Sequence, residues 1–119
     1  MNHRSIYLKG IILGTPYYMA PEQAVGDMEL VDAQSDIYSL GAVLYELLSG
    51  VYPFAGISSD LVFTELLTRA PDPLEQVDPA VPAELCRIVR TSMAREKRDR
   101  YARAGEFAEE VDDYMKSLG

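Results

Sequence analysis

The chain has a single cysteine, a single histidine and no tryptophan among its 119 residues. One cysteine excludes an intramolecular disulfide and a thiolate metal cluster. Cys86 lies between Leu85 and Ile88 on an apolar helical face and reads as a buried, inert thiol. His3 sits in a polar N-terminal segment with no second histidine to join it, so neither a Ser-His-Asp site nor a multi-His metal site can be built. No metal ligand set is expected. Basic residues are outnumbered, 11 Lys and Arg against 19 Asp and Glu, for a net charge of −8. Nucleic-acid binding rests on clustered Lys and Arg, so no nucleic-acid partner is expected. No run approaches the roughly 18–20 apolar residues of a membrane span, and Ile11-Ile12-Leu13 is too short for a signal-peptide core. The expectation is a cytoplasmic chain, or the cytoplasmic part of something larger, with no membrane segment of its own.

The length suits one domain, and 48% hydrophobic residues suffice for a core. Residues 32–50 organise it. They read as one helix of roughly four to five turns, at about 3.6 residues per turn. Asp32 is placed to cap its N-terminus, and Gly50 sits where the chain must leave helical geometry with positive φ. Ile37, Leu40, Leu44, Leu47 and Leu48 make an apolar stripe, and Tyr38, Ala42, Val43 and Tyr45 add apolar surface on the other sides. A surface helix has a polar back. This one is apolar nearly all round and is expected in the middle of the fold.

Residues 1–13 show no clear period and read as an extended lead-in. Gly14-Thr15-Pro16 is a turn, since Pro16 fixes its own φ and pushes Thr15 out of the α region. Pro21 suits the first position of a short helix near 21–25. After the central helix at 33–49, Phe54 is expected to tuck back against it, and Ser58 or Ser59 to cap a helix at 59–68. Residues 70–82 carry four prolines among acidic residues and read as a loop without an element. Pro82 opens a helix near 83–94 with Leu85, Ile88, Val89 and Met93 at helical spacing. A charged turn covers 95–103. The last helix, near 104–118, places Phe107, Val111, Tyr114, Met115 and Leu118 on one face and Glu106, Glu109, Glu110 and Asp113 mostly on the other. No run alternates at period two. The fold expected is mainly α, about five helices around one buried helix.

Four ordered blocks then carry a resemblance. Gly14-Thr15-Pro16-Tyr17-Tyr18-Met19-Ala20-Pro21-Glu22 holds an Ala-Pro-Glu signature after a Gly-Thr. Asp36-Ile37-Tyr38-Ser39-Leu40-Gly41 follows and runs into Leu-Tyr-Glu-Leu-Leu. Gly50 to Phe54 reads Gly-x-x-Pro-Phe, and Arg100-Tyr101 precedes Glu106-Phe107. Together these resemble the C-terminal lobe of protein kinases, from the end of the activation segment to the last helix, and look nearest to bacterial-type Ser/Thr kinases. The resemblance covers about residues 5–117. It implies a partial activation segment at 1–13 and a partial kinase C-terminal lobe at 14–119.

The resemblance also implies roles. Thr15, Pro16, Tyr17 and Tyr18 match the substrate-binding loop, where the family's threonine reaches the catalytic machinery. Glu22 and Arg100 match a buried ion pair that clamps this loop to the lobe, and an Arg fork meets a carboxylate bidentately. Asp36 matches the residue that holds the catalytic loop. Ser5 and Tyr7 stand where activation loops carry phosphorylation. Read without the family, Thr15 is a Thr-Pro turn with its hydroxyl on the backbone, and Asp36 is a carboxylate favoured by a helix N-terminus. Glu22 and Arg100 would then never meet.

Phosphoryl transfer in kinases needs a Gly-rich loop, a Lys–Glu pair, a catalytic-loop Asp and Asn, and a metal-binding Asp-Phe-Gly. This sequence contains no G-x-G-x-x-G and no His-Arg-Asp. The expectation is a C-terminal fragment of a Ser/Thr protein kinase, whether gene fragment, mis-set start or truncated product, with no catalytic residue and no cofactor of its own. ATP and Mg belong to a complete kinase of the family. The partners implied are a protein substrate or the kinase's N-terminal portion, and an uncovered apolar face implies self-association. The alternative of another class is a stand-alone, non-catalytic binding module that docks a kinase, phosphatase or substrate.

Overall fold

A computed structural model describes residues 16–26, 28–56 and 58–119. Among them are six α-helices: α1 (Pro21–Ala24), α2 (Ala33–Ser49), α3 (Ser59–Thr68), α4 (Leu74–Val77), α5 (Ala83–Ser92) and α6 (Ala104–Ser117). Three 3-10 turns, Pro16–Tyr18, Met28–Leu30 and Lys97–Asp99, join them, and the described residues contain no strand. The fold is mainly helical. The expected loop at 70–82 is corrected at one point, because Leu74–Val77 closes a single helical turn. Pro73 presets its entry at φ −55°, and Leu74 (3% exposed) fills a gap in the core, so one turn survives where the prolines prevent a longer helix.

The ends of α2 follow from local chemistry. The Asp32 carboxylate accepts from Gln34 N–H at 2.9 Å, and Ser35 Oγ accepts from Asp32 N–H at 3.2 Å. Two donors that the helix leaves unpaired are thereby satisfied. At the other end Gly50 takes φ 81° and donates to the Glu46 carbonyl at 2.7 Å. A side chain there would be strained, which is why glycine stands at this stop. Ser58 caps α3 through Leu61 N–H at 3.2 Å.

Burial shows which side of the central helix the rest of the chain covers. The buried face of α2 is Ser35, Ile37, Tyr38, Gly41, Ala42 and Tyr45, packed against α5 and the 16–18 turn. Of the expected stripe only Ile37 is fully buried; Leu44 and Leu48 are half-buried, while Leu40 is 44% and Leu47 75% exposed. The reason is steric. Gly41 and Ala42 have almost no side chain, so α5 approaches on their face and the bulkier leucines are turned away. Phe54, Val62, Leu66, Leu74, Cys86, Val89 and Met93 complete the main core, and Ile37, Ile88 and Tyr101 form a second cluster beside it.

The last helix also departs from expectation. Phe107 and Val111 pack on the second cluster, but Met115 and Leu118 are exposed. Glu110 is drawn inward: it accepts from Arg87 at 2.9 Å and from the Tyr101 hydroxyl. Burial first, and then the Glu110 hydrogen bond, push the Tyr101 phenol up to about 12.

The close approach at Gly41 makes a direct test. A Cβ built there would lie 2.6 Å from Ser92 Cβ and 2.9 Å from Met93 Cγ. Gly41→Ala should therefore destabilise the chain by about 1–3 kcal/mol through overpacking. Gly105→Ala, in α6 with nothing within 4 Å, should instead be neutral or stabilise by up to about 1 kcal/mol. Urea unfolding of the two variants measures both.

Candidate functional site

The segment 16–24 enters through the 16–18 turn and α1, and both ends of it are tied to the helical body. Ala20 N–H donates to Gln23 Oε1 at 2.9 Å, which starts α1 immediately before Glu22. Ala20 and Met19 are buried in the core. Glu22 is thus delivered to the interior with 7% exposure, facing Arg100 from far along the chain at 5%.

The two meet as a fork. Arg100 NH1 donates to Glu22 Oε2 at 2.7 Å and NH2 to Oε1 at 2.9 Å. The remaining guanidinium protons go to carbonyls: NH1 to Gln34 at 3.0 Å, NH2 to Arg95 at 3.0 Å and Nε to Ala94 at 2.7 Å. All five donors of the group are used. Ser35 Oγ donates to Glu22 Oε2 at 2.6 Å, and the guanidinium lies 5.0 Å from the centre of the Tyr38 ring. Burial alone would push the Glu22 carboxyl up, but the hydrogen bonds from Arg100 and Ser35 outweigh it and hold it below its ordinary range. Tyr38, almost wholly enclosed, is pushed well up by burial, against the opposing charge of Arg100.

The turn that carries Arg100 is sewn to the start of α2. Gln34 Nε2 donates to the carbonyls of Lys97 at 2.8 Å and Tyr101 at 3.1 Å. Lys97 Nζ reaches the Leu30 carbonyl and Asp32 Oδ2, both at 2.6 Å. That second bond, ahead of a smaller opposing burial effect, holds the Asp32 carboxyl below its usual range. Arg95 closes the end of α3, donating to the carbonyls of Leu66, at 3.1 Å, and Leu67.

On the other side, the 16–18 turn is braced by aromatic contacts. Tyr17 stacks on Tyr52 with ring centres 3.9 Å apart and planes 7° apart, and Tyr18 meets the same ring edge-on at 5.9 Å. The Tyr18 hydroxyl donates to Glu46, and this bond, more than burial, pushes its phenol up to about 12.

Of the residues singled out from the sequence, the structure brings together Glu22 and Arg100, and places Tyr17 and Tyr18 beside Tyr52. Pro16 is buried at the start of the turn. Asp36 joins none of these: it is exposed on α2 and its carboxylate meets no partner among the described residues. Thr15, Ser5 and Tyr7 lie outside the described residues. Ser35, Gln34, Glu46 and Tyr52 were not singled out. Ser35 had a signal, since it stands three residues after the capping Asp32. The other three had none, because their partners lie 28 to 67 positions away or on another turn.

A buried Glu–Arg fork after an Ala-Pro-Glu turn, set against one long central helix, describes a recognised class of fold, and comparison with known proteins agrees. The sequence model of the protein kinase domain matches residues 4–115. The chain belongs to the protein kinase domain family. It is 44% identical over 100 residues to serine/threonine-protein kinase Pkn1 of Myxococcus xanthus, covering 82% of this chain and 14% of that protein. With the DNA damage-responsive serine/threonine-protein kinase RqkA of Deinococcus radiodurans it shares 43% over 103 residues, 86% of this chain and 15% of the relative. The probable serine/threonine-protein kinase PknB of Bifidobacterium longum is 38% identical over 104 residues, covering 87% and 15%. Among solved structures, the autoinhibited serine kinase domain of the giant muscle protein titin superposes with a TM-score of 0.69 at 26% identity, over 80% of this chain and 29% of that one. The chain thus spans about one-seventh of the length of these curated relatives.

Removing one partner of the fork leaves a buried charge alone. Arg100→Met should cost about 3–5 kcal/mol in urea unfolding, and Arg100→Lys should recover only part, because an ammonium cannot supply the planar five-donor fork. The acid limb should carry the Glu22 signature. Its folded value lies below the ordinary 4.5, so its contribution is complete above that pH and is lost as pH falls through the folded value. Glu22→Gln should remove that component of the acid transition while the rest remains.

Proposed function

We propose that this chain is the substrate-loop and lower-lobe part of a serine/threonine protein kinase, and that it does not transfer phosphate by itself. The observation that carries this reading is the free face of α2. Asp36, Leu40 and Leu47 recur at i, i+4 and i+11 and so share one side of the helix. Leu40 and Leu47 are exposed there, beside a carboxylate with no partner among the described residues. An apolar stripe headed by an unpaired acceptor suits a covering segment that supplies backbone N–H groups to Asp36 and apolar side chains to the leucines. In this reading the catalytic-loop portion of a complete kinase is that cover.

The opposite side of the helix serves the substrate. Thr15, Pro16, Tyr17 and Tyr18 are assigned to the loop that receives the peptide around the phosphoacceptor. The Glu22–Arg100 fork keeps that loop fixed to the lobe, and Ser5 and Tyr7 are assigned as phosphorylation positions ahead of it. Phosphoryl transfer is positioning and electrostatics around Mg and ATP, and the groups that would hold them have no counterpart in these 119 residues. ATP, Mg and the protein substrate are therefore assigned to a complete cytoplasmic kinase. The same exposed stripe should drive self-association of the chain alone.

One preparation tests both parts. The 119-residue chain should show no transfer from radiolabelled ATP to a Ser/Thr protein substrate and should sediment above its monomer mass. Leu40→Glu with Leu47→Glu should return it towards monomer. Saturable ATP binding with transfer would overturn the inactive reading; a clean monomer before mutation would overturn the uncovered face.

A further inference from the structure

We infer that the open cleft between α1 and the 95–98 turn is a docking site for an acidic peptide segment that carries an apolar side chain. The cleft has a volume of about 400 Å³ and a mixed lining. Val25, Leu30 and Leu67 supply its apolar side chains, and Val25 and Leu30 are 46% and 47% exposed. Arg95, Lys97 and Arg98 supply its cations. Exposed apolar side chains rimmed by polar and charged groups are one mark of a binding surface.

Charge decides the kind of partner. In a chain of net charge −8, five of the 11 basic residues fall within positions 95–103. Two carboxylates also line the cleft, but Glu22 is paired with Arg100; Lys97 is likewise paired with Asp32, which leaves Arg95 and Arg98 against Glu96 and an excess of positive charge. Arg98 is exposed and its guanidinium has no partner among the described residues. Arg95 and Lys97 already spend donors on the carbonyls of Leu66, Leu67 and Leu30 and on Asp32. They are held rigidly and contribute field more than free hydrogen-bond donors. A phosphate dianion needs several free donors converging on one point. Spread carboxylates need only an excess of positive charge, and the apolar lining supplies the anchor. An acidic-apolar segment uses both kinds of lining residue; a small anion would use only the cations.

The site stands apart from the kinase reading, since it uses no residue of the substrate loop. Glu22 of the fork is among its lining residues, so a bound segment would lie beside that ion pair.

The probe is a blocked, fluorescein-labelled peptide Asp-Asp-Leu-Glu-Asp-Leu, titrated with the 119-residue chain and followed by anisotropy. Its counterpart has Asn and Gln in place of the acids. Saturable binding of the acidic peptide, about five- to tenfold weaker in Arg98→Glu and falling similarly between 0.05 and 0.5 M salt, supports the site. Val25→Asp should weaken binding by a similar factor, through the apolar lining and the added negative charge. Circular dichroism identical to the parent keeps both exposed substitutions interpretable. Equal binding of the neutral peptide, binding unchanged in Arg98→Glu, displacement by 10 mM inorganic phosphate alone, or no binding at all would overturn the proposal.

Discussion

The interaction that ties the segment at 16–24 to the late residues most tightly is the buried Glu22–Arg100 fork. Burying two opposite charges is costly in itself, and their attraction offsets that cost only when every remaining donor and acceptor is satisfied. Here they are: the guanidinium reaches one carboxylate and three carbonyls, and the carboxylate adds the Ser35 hydroxyl. Those carbonyls belong to two separate pieces of backbone: Gln34 in the first turn of α2, and Ala94 and Arg95 at the exit from α5. The pair therefore sets relative positions of segments that hydrophobic packing alone would let slide. Lys would be a poorer partner than Arg100 on these grounds, because the geometry uses a plane and not only a charge.

The second constraint is the two-sidedness of α2. One face is shaped by small residues and aromatics, with Gly41 against Ser92 and Met93, Tyr38 over Arg100, and Tyr45 donating to the Asp72 carbonyl at 2.8 Å. The other carries leucines and a lone carboxylate outward. Glu46 lies between the faces and accepts from Tyr18, so the helix that anchors the core also steadies the 16–18 turn. One face of the helix is packed, and the other stands open among the described residues.

Much of this was legible in the residues. Asp32 and Gly50 marked both ends of α2, Ser58 the start of α3, and Ala-Pro-Glu with the later Arg100 indicated which distant charges to watch. What was not legible depended on the third dimension. With apolar residues nearly all round α2, the sequence did not say which side would be packed, because hydrophobicity does not measure how closely a neighbour can approach. Gly41 and Ala42 decided it. Leu74 was hidden among prolines that individually argue against helix. Glu110 read as an outward carboxylate until Arg87 and Tyr101, from two other elements, turned it in. Tyr52 lay unnoticed within Gly-x-x-Pro-Phe, since nothing local says which x will meet a ring.

The central claim is that Glu22 and Arg100 act as one unit that binds the segment at 16–24 to the helical body. A double-mutant cycle tests it most directly, with urea unfolding of the parent, Glu22→Gln, Arg100→Met and the double variant. The account predicts a coupling energy of about 2–3 kcal/mol, at the upper end for directly bonded pairs, with the double variant more stable than the sum of the single losses. Additive losses, with coupling near zero, would contradict it.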